Sequence, residues 1–249
     1  MAVIPTYNER ENLPLVVEKI FARAPGVDIL IVDDNSPDGT GRLADTLSQG
    51  EPQRLFVLHR EAKQGLGRAY VDGFREALKR GYDIVLQMDA DLSHDPRYLP
   101  DFLQHIQDAD LVIGSRYLRG ISVVNWDFRR LLLSKTATAY VRLITGLRLT
   151  DTTSGFKCWR RSLLEQVRLD ETFANGYLFQ IETTYRAHRL GARIVEIPII
   201  FVERRIGRSK MNWRVIGEAL SGVLKLRLRA LRLRTQRKTR PGESFHDSH

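Results

Sequence analysis

The sequence predicts an α/β fold in which helices flank a mostly parallel, Rossmann-like central sheet, and three observations support this prediction. Short apolar runs alternate with amphipathic stretches over the first half of the chain, a rhythm typical of parallel strands joined by helical crossovers. The run Ile29–Val32 is continuously apolar, as expected of a strand that is buried on both faces. The polar motifs follow such runs, and open parallel sheets bind ligands at the carboxyl ends of their strands.

Each element is predicted from its own local pattern. Strands are predicted at Val3–Ile4, Ile29–Val32, Leu55–Leu58, Ile84–Met88 and Leu111–Ile113, and a β-rich run interrupted by Pro198 covers Ile194–Val202. Amphipathic periodicity predicts helices at about Glu11–Arg23, Thr40–Leu47, Leu66–Arg80, Pro96–Gln107, Arg129–Thr145 and Gly176–Leu190. The segment Thr150–Gly155 has the composition of a polar loop.

Charge is distributed unevenly along the 249 residues. The net charge is +9, and residues 204–240 contain 13 Lys or Arg against one acidic residue, whereas residues 1–203 are close to neutral. No internal repeat or low-complexity linker is present, so the simplest partition is a single folded domain at 1–211 and a basic tail at 212–249. A charge asymmetry of this kind indicates a polyanionic surface as the partner, either nucleic acid or anionic lipid.

The tail has the pattern of a basic amphipathic helix. Apolar residues recur at helical spacing, and basic residues follow closely. Such helices lie in the interface of anionic membranes, which is the interpretation we favour. Three alternatives stay open: a solubilising tail, a helix packed on the body of the protein, and a helix that contacts a small membrane partner subunit. The apolar positions are Val215, Ile216, Ala219, Leu220, Val223, Leu224 and Leu228.

The sequence predicts a cytoplasmic protein that associates peripherally with the cytoplasmic face of a membrane. Cys158 is the single cysteine, so neither an intrachain disulfide nor a cysteine-based zinc cluster can form, and a reducing compartment fits. The N-terminus lacks the basic and apolar regions of a signal peptide. Apolar runs are far shorter than the ~20 residues that a membrane span needs.

Two carboxylates follow the strand predicted at Ile84–Met88. Asp89 and Asp91 are separated by one residue at the end of an extended segment, where their mutual repulsion favours a bound cation. Oxygen ligands favour Mg²⁺ or Mn²⁺, and Mg²⁺ usually bridges one or two carboxylates and substrate phosphates. An Asp-x-Asp pair alone is weak evidence, but its place at a strand end strengthens the prediction of a metal site.

Two further strand ends carry polar motifs. Asp33-Asp34-Asn35-Ser36-Pro37-Asp38-Gly39 has the composition of a turn and helix cap, yet a turn alone does not require two successive aspartates. A carboxylate there could accept hydrogen bonds from a ribose hydroxyl or a base. Pro5-Thr6-Tyr7-Asn8-Glu9 closes the first strand, where Tyr7 could stack on a base and Glu9 could accept from a ring N–H or a hydroxyl.

Together these segments resemble glycosyltransferase family 2 with its GT-A fold, and more narrowly the dolichyl-phosphate or polyprenyl-phosphate mannose synthases. The likeness covers roughly residues 3–215, with the motifs in the same order. It continues through Lys63-Gln64-Gly65-Leu66-Gly67, Gly114-Ser115-Arg116-Tyr117, Ser154-Gly155-Phe156 and Arg204-x-x-Gly-x-Ser-Lys210.

The resemblance implies a role for each matched residue. The nucleotide-binding positions are Pro5, Tyr7, Glu9, Val32 and Asp34, with Tyr7 and Asp34 on the base and ribose. The donor and metal segment is Asp89, Ala90 and Asp91, with Asp91 as the best metal ligand. Ser93 falls where some relatives place a glutamine near the metal, and a serine hydroxyl is a shorter ligand. The basic positions that hold the donor diphosphate and the lipid phosphate are Arg116, Arg130, Arg204 and Lys210.

The function implied by the resemblance is an inverting transfer of mannose from GDP-mannose to dolichyl or other polyprenyl phosphate. A phosphate monoester is mostly dianionic near neutrality, so it needs no strong general base, and cations must offset the repulsion between the two substrates. Asp91, Arg116 and Arg130 are therefore the predicted catalytic residues. In-line attack would give a β-linked product. The alternatives are a glucosyl- or N-acetylglucosaminyltransferase that uses a UDP-sugar on a polyprenyl phosphate or a polysaccharide, and a nucleic-acid-binding module built on the tail. We expect no nucleic-acid partner, because the body is near neutral.

Overall fold

The computed structural model describes residues 1–124, 128–172, 174, 176–202 and 220–229, and for Arg130 it describes the backbone only. Within these residues seven strands form a central sheet in the order β3-β2-β1-β4-β7-β5-β8, and β6 pairs with β9 in a separate ribbon. The strands are β1 Ala2–Thr6, β2 Ile29–Asp33, β3 Leu55–His59, β4 Ile84–Gln87, β5 Leu111–Ser115, β6 Val123–Val124, β7 Lys157–Arg160, β8 Ile194–Pro198 and β9 Phe201–Val202.

The helices connect these strands and cover both faces of the sheet. They are α1 Leu13–Arg23, α2 Thr40–Gly50, α3 Leu66–Lys79, α4 Leu99–His105, α5 Phe128–Thr145, α6 Arg161–Gln166 and α7 Gly176–Arg189. Short 3₁₀ turns occupy Pro96–Tyr98, Ile106–Asp108 and Leu169–Glu171, so the helix predicted at Pro96–Gln107 is an α-helix with a 3₁₀ turn at each end. Among the described helices none is long and apolar enough to cross a membrane.

The run Ile29–Val32 shows why a continuous apolar segment predicted a doubly covered strand. Ile29 and Ile31 belong to one hydrophobic cluster, whereas Leu30 and Val32 belong to the cluster on the opposite face. All four side chains are fully buried. Burying one such side chain contributes about 1.5–3 kcal/mol, so the sheet is stabilised from both faces.

Strand β7 was not predicted, and it changes the sheet. It lies between β4 and β5 and is antiparallel to both, so that Gln87 pairs with Lys157 and Val112 with Cys158. Lys-Cys-Trp-Arg does not have the composition of a buried strand, because it begins and ends with a charged residue. Only the tertiary structure provides the partners that allow Lys157 to be buried.

The segment 220–229 is helical and packs on the body of the protein. Val223 and Leu226 are buried in the main core cluster, and Tyr140 Oη of α5 donates to the carbonyl oxygen of Leu220 at 3.1 Å. A Cβ on Gly222 would lie 2.1 Å from Leu178 of α7, so this helix approaches α7 too closely for any larger residue. This part of the predicted tail helix therefore packs on the body of the protein, which is one of the three alternatives. The predicted boundary between residues 211 and 212 lies outside the described residues.

Candidate active site

The loops after three neighbouring strands each turn through a residue with left-handed backbone. Asn8 follows β1, Asn35 follows β2 and Leu92 follows β4, with φ of 61°, 56° and 61°. Asparagine adopts this conformation readily, but leucine does so only at a cost of about 1–3 kcal/mol. The strained Leu92 lies between Asp91 and Ser93, and strain of this kind clusters at functional sites.

The carboxylates of Asp89 and Asp91 are both held by hydroxyl groups at one side of a cleft. Tyr70 Oη donates to Asp89 Oδ1 at 2.7 Å, and Ser93 Oγ donates to Asp91 Oδ1 at 2.5 Å. The backbone N–H of Asp89 donates to His94 Nδ1 at 2.9 Å, so this imidazole nitrogen accepts. The side chains of Asp89 and Asp91 are therefore already oriented by protein groups.

These carboxylates fit a hard divalent cation. They offer oxygen ligands from two residues of one strand end, which is the donor set that Mg²⁺ and Mn²⁺ take in proteins alongside phosphates and water. Within the described residues no group of three or more His, Cys, Asp or Glu is placed to hold a metal unaided. A cation here would need ligands beyond these two carboxylates. Ser93 orients Asp91 in this structure, and its direct contact with a metal stays a prediction.

Arg116 lines the same cleft as these carboxylates and forms a buried ion pair. Its Nε and Nη2 donate to the two carboxylate oxygens of Asp151 at 2.6 and 2.7 Å, and Nη2 also donates to Thr153 Oγ1 at 2.7 Å. Burial raises the pKa of Asp151, but the Arg116 guanidinium outweighs it and leaves that pKa below its ordinary value. The sequence leaves two interpretations of Arg116 open, a phosphate ligand and a surface ion pair. The structure shows an ion pair, and this pair is buried.

The loop that carries Asp151 is fixed by Glu196 of β8. Both carboxylate oxygens of Glu196 accept from the backbone N–H of Thr150, at 3.0 and 2.8 Å, and one accepts from the N–H of Asp151 at 2.9 Å. This anchoring places the polar loop predicted at Thr150–Gly155 along the cleft. Asp151 was not predicted as a site residue, and only the composition of its loop pointed to it.

The ends of β1 and β2 form a second part of the site. Asp34 is paired with Arg60, and burial raises its pKa above the ordinary value while Arg60 acts in the opposite direction. Lys63 Nζ lies 3.4 Å from the centroid of the Tyr7 ring and covers one face of it. Tyr7 and Asp34, which are predicted to bind the nucleotide, thus both contact basic residues of the loop after β3. The sequence matches part of this loop to a family motif but assigns no role to it.

The two successive aspartates at the end of β2 have different partners. Asp33 accepts from Thr6 Oγ1 at 3.0 Å and from the backbone N–H and the hydroxyl of Ser36 at 3.0 and 2.6 Å, so it holds the turn. Asp34 instead pairs with Arg60. Sequence could not say which aspartate is structural, because the answer depends on the partners that neighbouring strands bring.

The remaining predicted positions are distributed as follows. Pro5 and Val32 are buried and paired across β1 and β2, Ala90 is buried after β4, and Glu9 accepts from Asn12 Nδ2 at 2.8 Å. Arg204 and Lys210 lie outside the described residues, as does the side chain of Arg130. The residues that line the cleft are Asp89, Asp91, Ser93, His94, Arg116, Thr153, Ser154, Gly155, Tyr177 and Phe201.

A mostly parallel central sheet flanked by helices, with paired aspartates beside a cleft after one strand, belongs to the GT-A class of fold. The chain belongs to glycosyltransferase family 2: the family model "Glycosyl transferase family 2" matches residues 1–168. The predictions of the family and of the fold class are confirmed.

Two curated relatives resemble nearly the whole chain. The "Polyprenol monophosphomannose synthase" of Mycolicibacterium smegmatis is 50% identical over 224 residues, which cover 90% of this chain and 84% of that protein. The "Undecaprenyl-phosphate mannosyltransferase" of Micrococcus luteus is 48% identical over 230 residues, which cover 92% of this chain and 94% of that protein.

Solved structures with the same fold include glucosyl-3-phosphoglycerate synthase from Mycobacterium tuberculosis. Its complex with Mn²⁺, UDP-glucose and phosphoglyceric acid superposes with a TM-score of 0.65 at 21% identity, covering 91% of this chain and 78% of that chain. A crystal structure of the same synthase without a named ligand gives a TM-score of 0.63 at 21% identity, covering 90% of this chain and 79% of that chain. This likeness concerns the fold alone.

Proposed function

We propose that this enzyme transfers mannose from GDP-mannose to a polyprenyl phosphate. One observation supports the proposal most strongly: 48–50% identity over about nine-tenths of the chain to two proteins whose names both join mannose transfer to a polyprenyl phosphate. The proposal is also supported by the fold, in which the residues predicted to bind the nucleotide and the paired carboxylates lie along one edge of the sheet. Inversion at the anomeric carbon would make the product β-linked.

The cleft is suited to an acceptor that is already a nucleophile. A phosphate monoester carries most of a second negative charge near neutrality, so it attacks without deprotonation by a strong base. The imidazole of His94 lines the cleft, and its Nδ1 accepts a hydrogen bond from the backbone N–H of Asp89. This nitrogen is therefore already occupied by a hydrogen bond within the protein. Transition-state stabilisation then rests on groups that hold charge in place, which is the largest contribution in many enzymes.

Asp89 and Asp91 would hold the divalent cation, Mg²⁺ or Mn²⁺. When bound, such a cation neutralises charge on the leaving diphosphate. The chain's own contribution is orientation, because Tyr70 and Ser93 fix the two carboxylates before the donor arrives. Fixed donors and acceptors need no reorganisation during the reaction.

A donor and acceptor panel tests this function. GDP-mannose, GDP-glucose, UDP-glucose and UDP-N-acetylglucosamine are each offered with polyprenyl phosphate in detergent, and lipid-linked product is measured. We expect product with GDP-mannose at a kcat/KM at least tenfold above that with each other donor. Comparable turnover with a UDP-sugar would contradict the donor assignment, and transfer only to a polysaccharide would contradict the acceptor.

Two neighbouring helices present an apolar surface, which we define as Phe128, Leu132 and Leu143 of α5 with Leu224 and Leu228 of the segment 220–229. These side chains are 46–81% exposed, with Leu224 at 46% and Leu143 at 81%. Exposed basic residues flank it, namely Lys135, Arg142, Lys225 and Arg229. Apolar side chains ringed by cations match an anionic membrane interface.

Helix α5, which carries part of this surface, also lies close to the cleft. Tyr117, which follows Arg116, donates its hydroxyl to Ser134 of α5 at 2.7 Å. A lipid phosphate that enters from the bilayer would therefore find the cleft beside the helices that contact the membrane. We propose that the enzyme is peripheral, held by this surface together with the basic tail.

Replacing Leu132, Leu143 and Leu224 with serine should weaken vesicle binding. Each leucine that leaves the lipid interface costs about 1–2 kcal/mol, so the triple variant should bind vesicles about 100-fold less tightly or worse. Co-sedimentation with vesicles that contain anionic lipid measures this. Turnover on a short-chain acceptor in detergent should persist.

The matched control is a double variant of exposed leucines elsewhere, Leu15→Ser with Leu190→Ser, which are 47% and 48% exposed. It should sediment like the wild type. Equal sedimentation of the triple variant and the control would show that the apolar surface does not contact lipid.

A further inference from the structure

A chain of buried hydrogen bonds runs from β7 to the floor of the cleft. Trp159 Nε1 donates to Gln87 Oε1 at 3.1 Å, and Gln87 Nε2 donates to Gln180 Oε1 at 2.6 Å. Lys157 Nζ donates to the same Gln180 oxygen at 3.0 Å and to the Gln180 carbonyl at 2.9 Å. Gln87, Lys157 and Gln180 are at most 3% exposed, so water does not compete for these bonds.

The direction of every bond in this chain is determined by chemistry. An indole N–H and an ammonium group can only donate, so Trp159 and Lys157 fix the oxygen ends of the two amides. The amide nitrogen of Gln180 is consequently the last donor of the chain. Within the described residues no acceptor is hydrogen-bonded to Gln180 Nε2. This amide N–H is therefore left for a ligand oxygen that enters the cleft.

Gly155 lies between the side-chain nitrogen of Gln180 and the cleft. A Cβ at position 155 would lie 3.3 Å from Gln180 Nε2 and 3.3 Å from His94 Cε1, and both Gly155 and His94 line the cleft. The missing side chain therefore leaves the Gln180 amide next to the space in which substrates bind.

Lys157, in its protonated form, brings a positive charge to the other end of the bond. Within the described residues its Nζ contacts a carbonyl, an amide oxygen and the hydroxyl of Thr183, and it forms no ion pair with a carboxylate. Burial lowers the pKa of Lys157 to about 7, with Asp151 acting in the opposite direction. An ammonium that donates to an amide oxygen polarises the amide and strengthens its N–H as a donor. Such a donor favours an anionic acceptor.

We propose that Gln180 binds an anionic phosphate oxygen of the substrates through Nε2–H, and that Lys157 is the positioning residue that polarises it. The inference rests on the proposed function, because that function supplies two phosphate ligands, the donor diphosphate and the lipid phosphate. Both share the same chemistry, and binding measurements separate them.

The test replaces Gln180 with glutamate, which has nearly the same shape. The carboxylate still accepts from Gln87 and Lys157, so the fold is kept, but the N–H is lost and a like charge faces the phosphate. We expect binding to weaken on the order of 10-fold to 100-fold, the range for a charge-assisted hydrogen bond. Calorimetric titration with GDP and with UDP, together with KM and kcat for a short-chain polyprenyl phosphate, gives the readouts. Weaker nucleotide affinity identifies the diphosphate, and a raised acceptor KM alone identifies the lipid phosphate.

Lys157→Met is a second variant that removes the charge and keeps Gln180. It should weaken the binding of the same ligand by a smaller factor. If Gln180→Glu fails to fold, this variant provides the test instead. Thr184→Val is the matched control, since it deletes a buried hydroxyl of α7 that donates to the Gln180 carbonyl and leaves the side-chain bonds intact. Unchanged nucleotide affinity and acceptor KM in folded Gln180→Glu would overturn the inference. A wild-type enzyme that binds neither GDP nor UDP would instead contradict the proposed function.

Discussion

Alanine at Asp91 is expected to abolish nearly all transfer, lowering kcat by about 10²–10³-fold. The carboxylate lies on the cleft in the loop after β4 and is oriented by Ser93, so its removal leaves Asp89 as the one carboxylate of the pair. Losing one such contact to charge at the reacting centre costs about 3–4 kcal/mol. Turnover is measured across Mg²⁺ and Mn²⁺ titrations, and Mn²⁺ binding in the presence of GDP is measured separately by electron paramagnetic resonance.

Asp95→Ala is the matched control for this variant, because it removes the same charge four residues away. Asp95 accepts from the backbone N–H of Arg97 in a helix cap and does not line the cleft. It should lower stability slightly and leave metal dependence unchanged. Full activity of the wild type in excess EDTA, or unchanged Mn²⁺ binding by Asp91→Ala, would show that no metal is held by this residue.

Replacing Arg116 with alanine is expected to destabilise the protein by about 3–5 kcal/mol, because it leaves the buried Asp151 carboxylate without its partner. The side chains of Arg116 and Asp151 are 7% and 0% exposed, so solvent cannot substitute for the lost guanidinium. Urea unfolding followed by circular dichroism gives the free energy. Lysine should rescue poorly, because a single ammonium cannot reproduce the bidentate contact.

Two comparisons make this result specific. The double variant Arg116→Ala with Asp151→Ala should regain part of the lost stability, since no unpaired charge remains. The exposed pair of Arg161 and Glu165 is the control, and Arg161→Ala should cost at most about 1 kcal/mol. If Arg116→Ala unfolds within 1 kcal/mol of the wild type, the ion pair does not stabilise the fold.

The pH dependence of this pair has a definite sign. The folded-state pKa of Asp151 lies below its ordinary value, so its stabilisation is present above that ordinary value and is lost as pH falls through the lower, folded-state pKa. The destabilisation by Arg116→Ala should therefore shrink in acid. The same residue thus supports the fold and lines the cleft, which links the stability of the polar loop to the geometry of the site.

Local sequence patterns determined most of the architecture and the order of the site motifs. Ile29–Val32 is a continuous apolar run, and the strand that precedes Asp89 is apolar except for Gln87. Both strands are buried in one sheet, so the polar residues that follow them lie at one edge of that sheet. The likeness to family 2 rests on the same strand ends. These predictions needed no knowledge of distant contacts, because periodicity and turn composition are local properties.

The tertiary structure alone decided which polar groups are partners. Lys157 is charged and was predicted in no strand, yet it is buried in β7 because Gln180 and Thr183, distant in sequence, supply acceptors for its ammonium. Likewise, Asp151 satisfies Arg116 across 35 residues. A local pattern reports whether a side chain prefers water, whereas the burial of a charge depends on partners that only the folded chain brings within hydrogen-bonding distance.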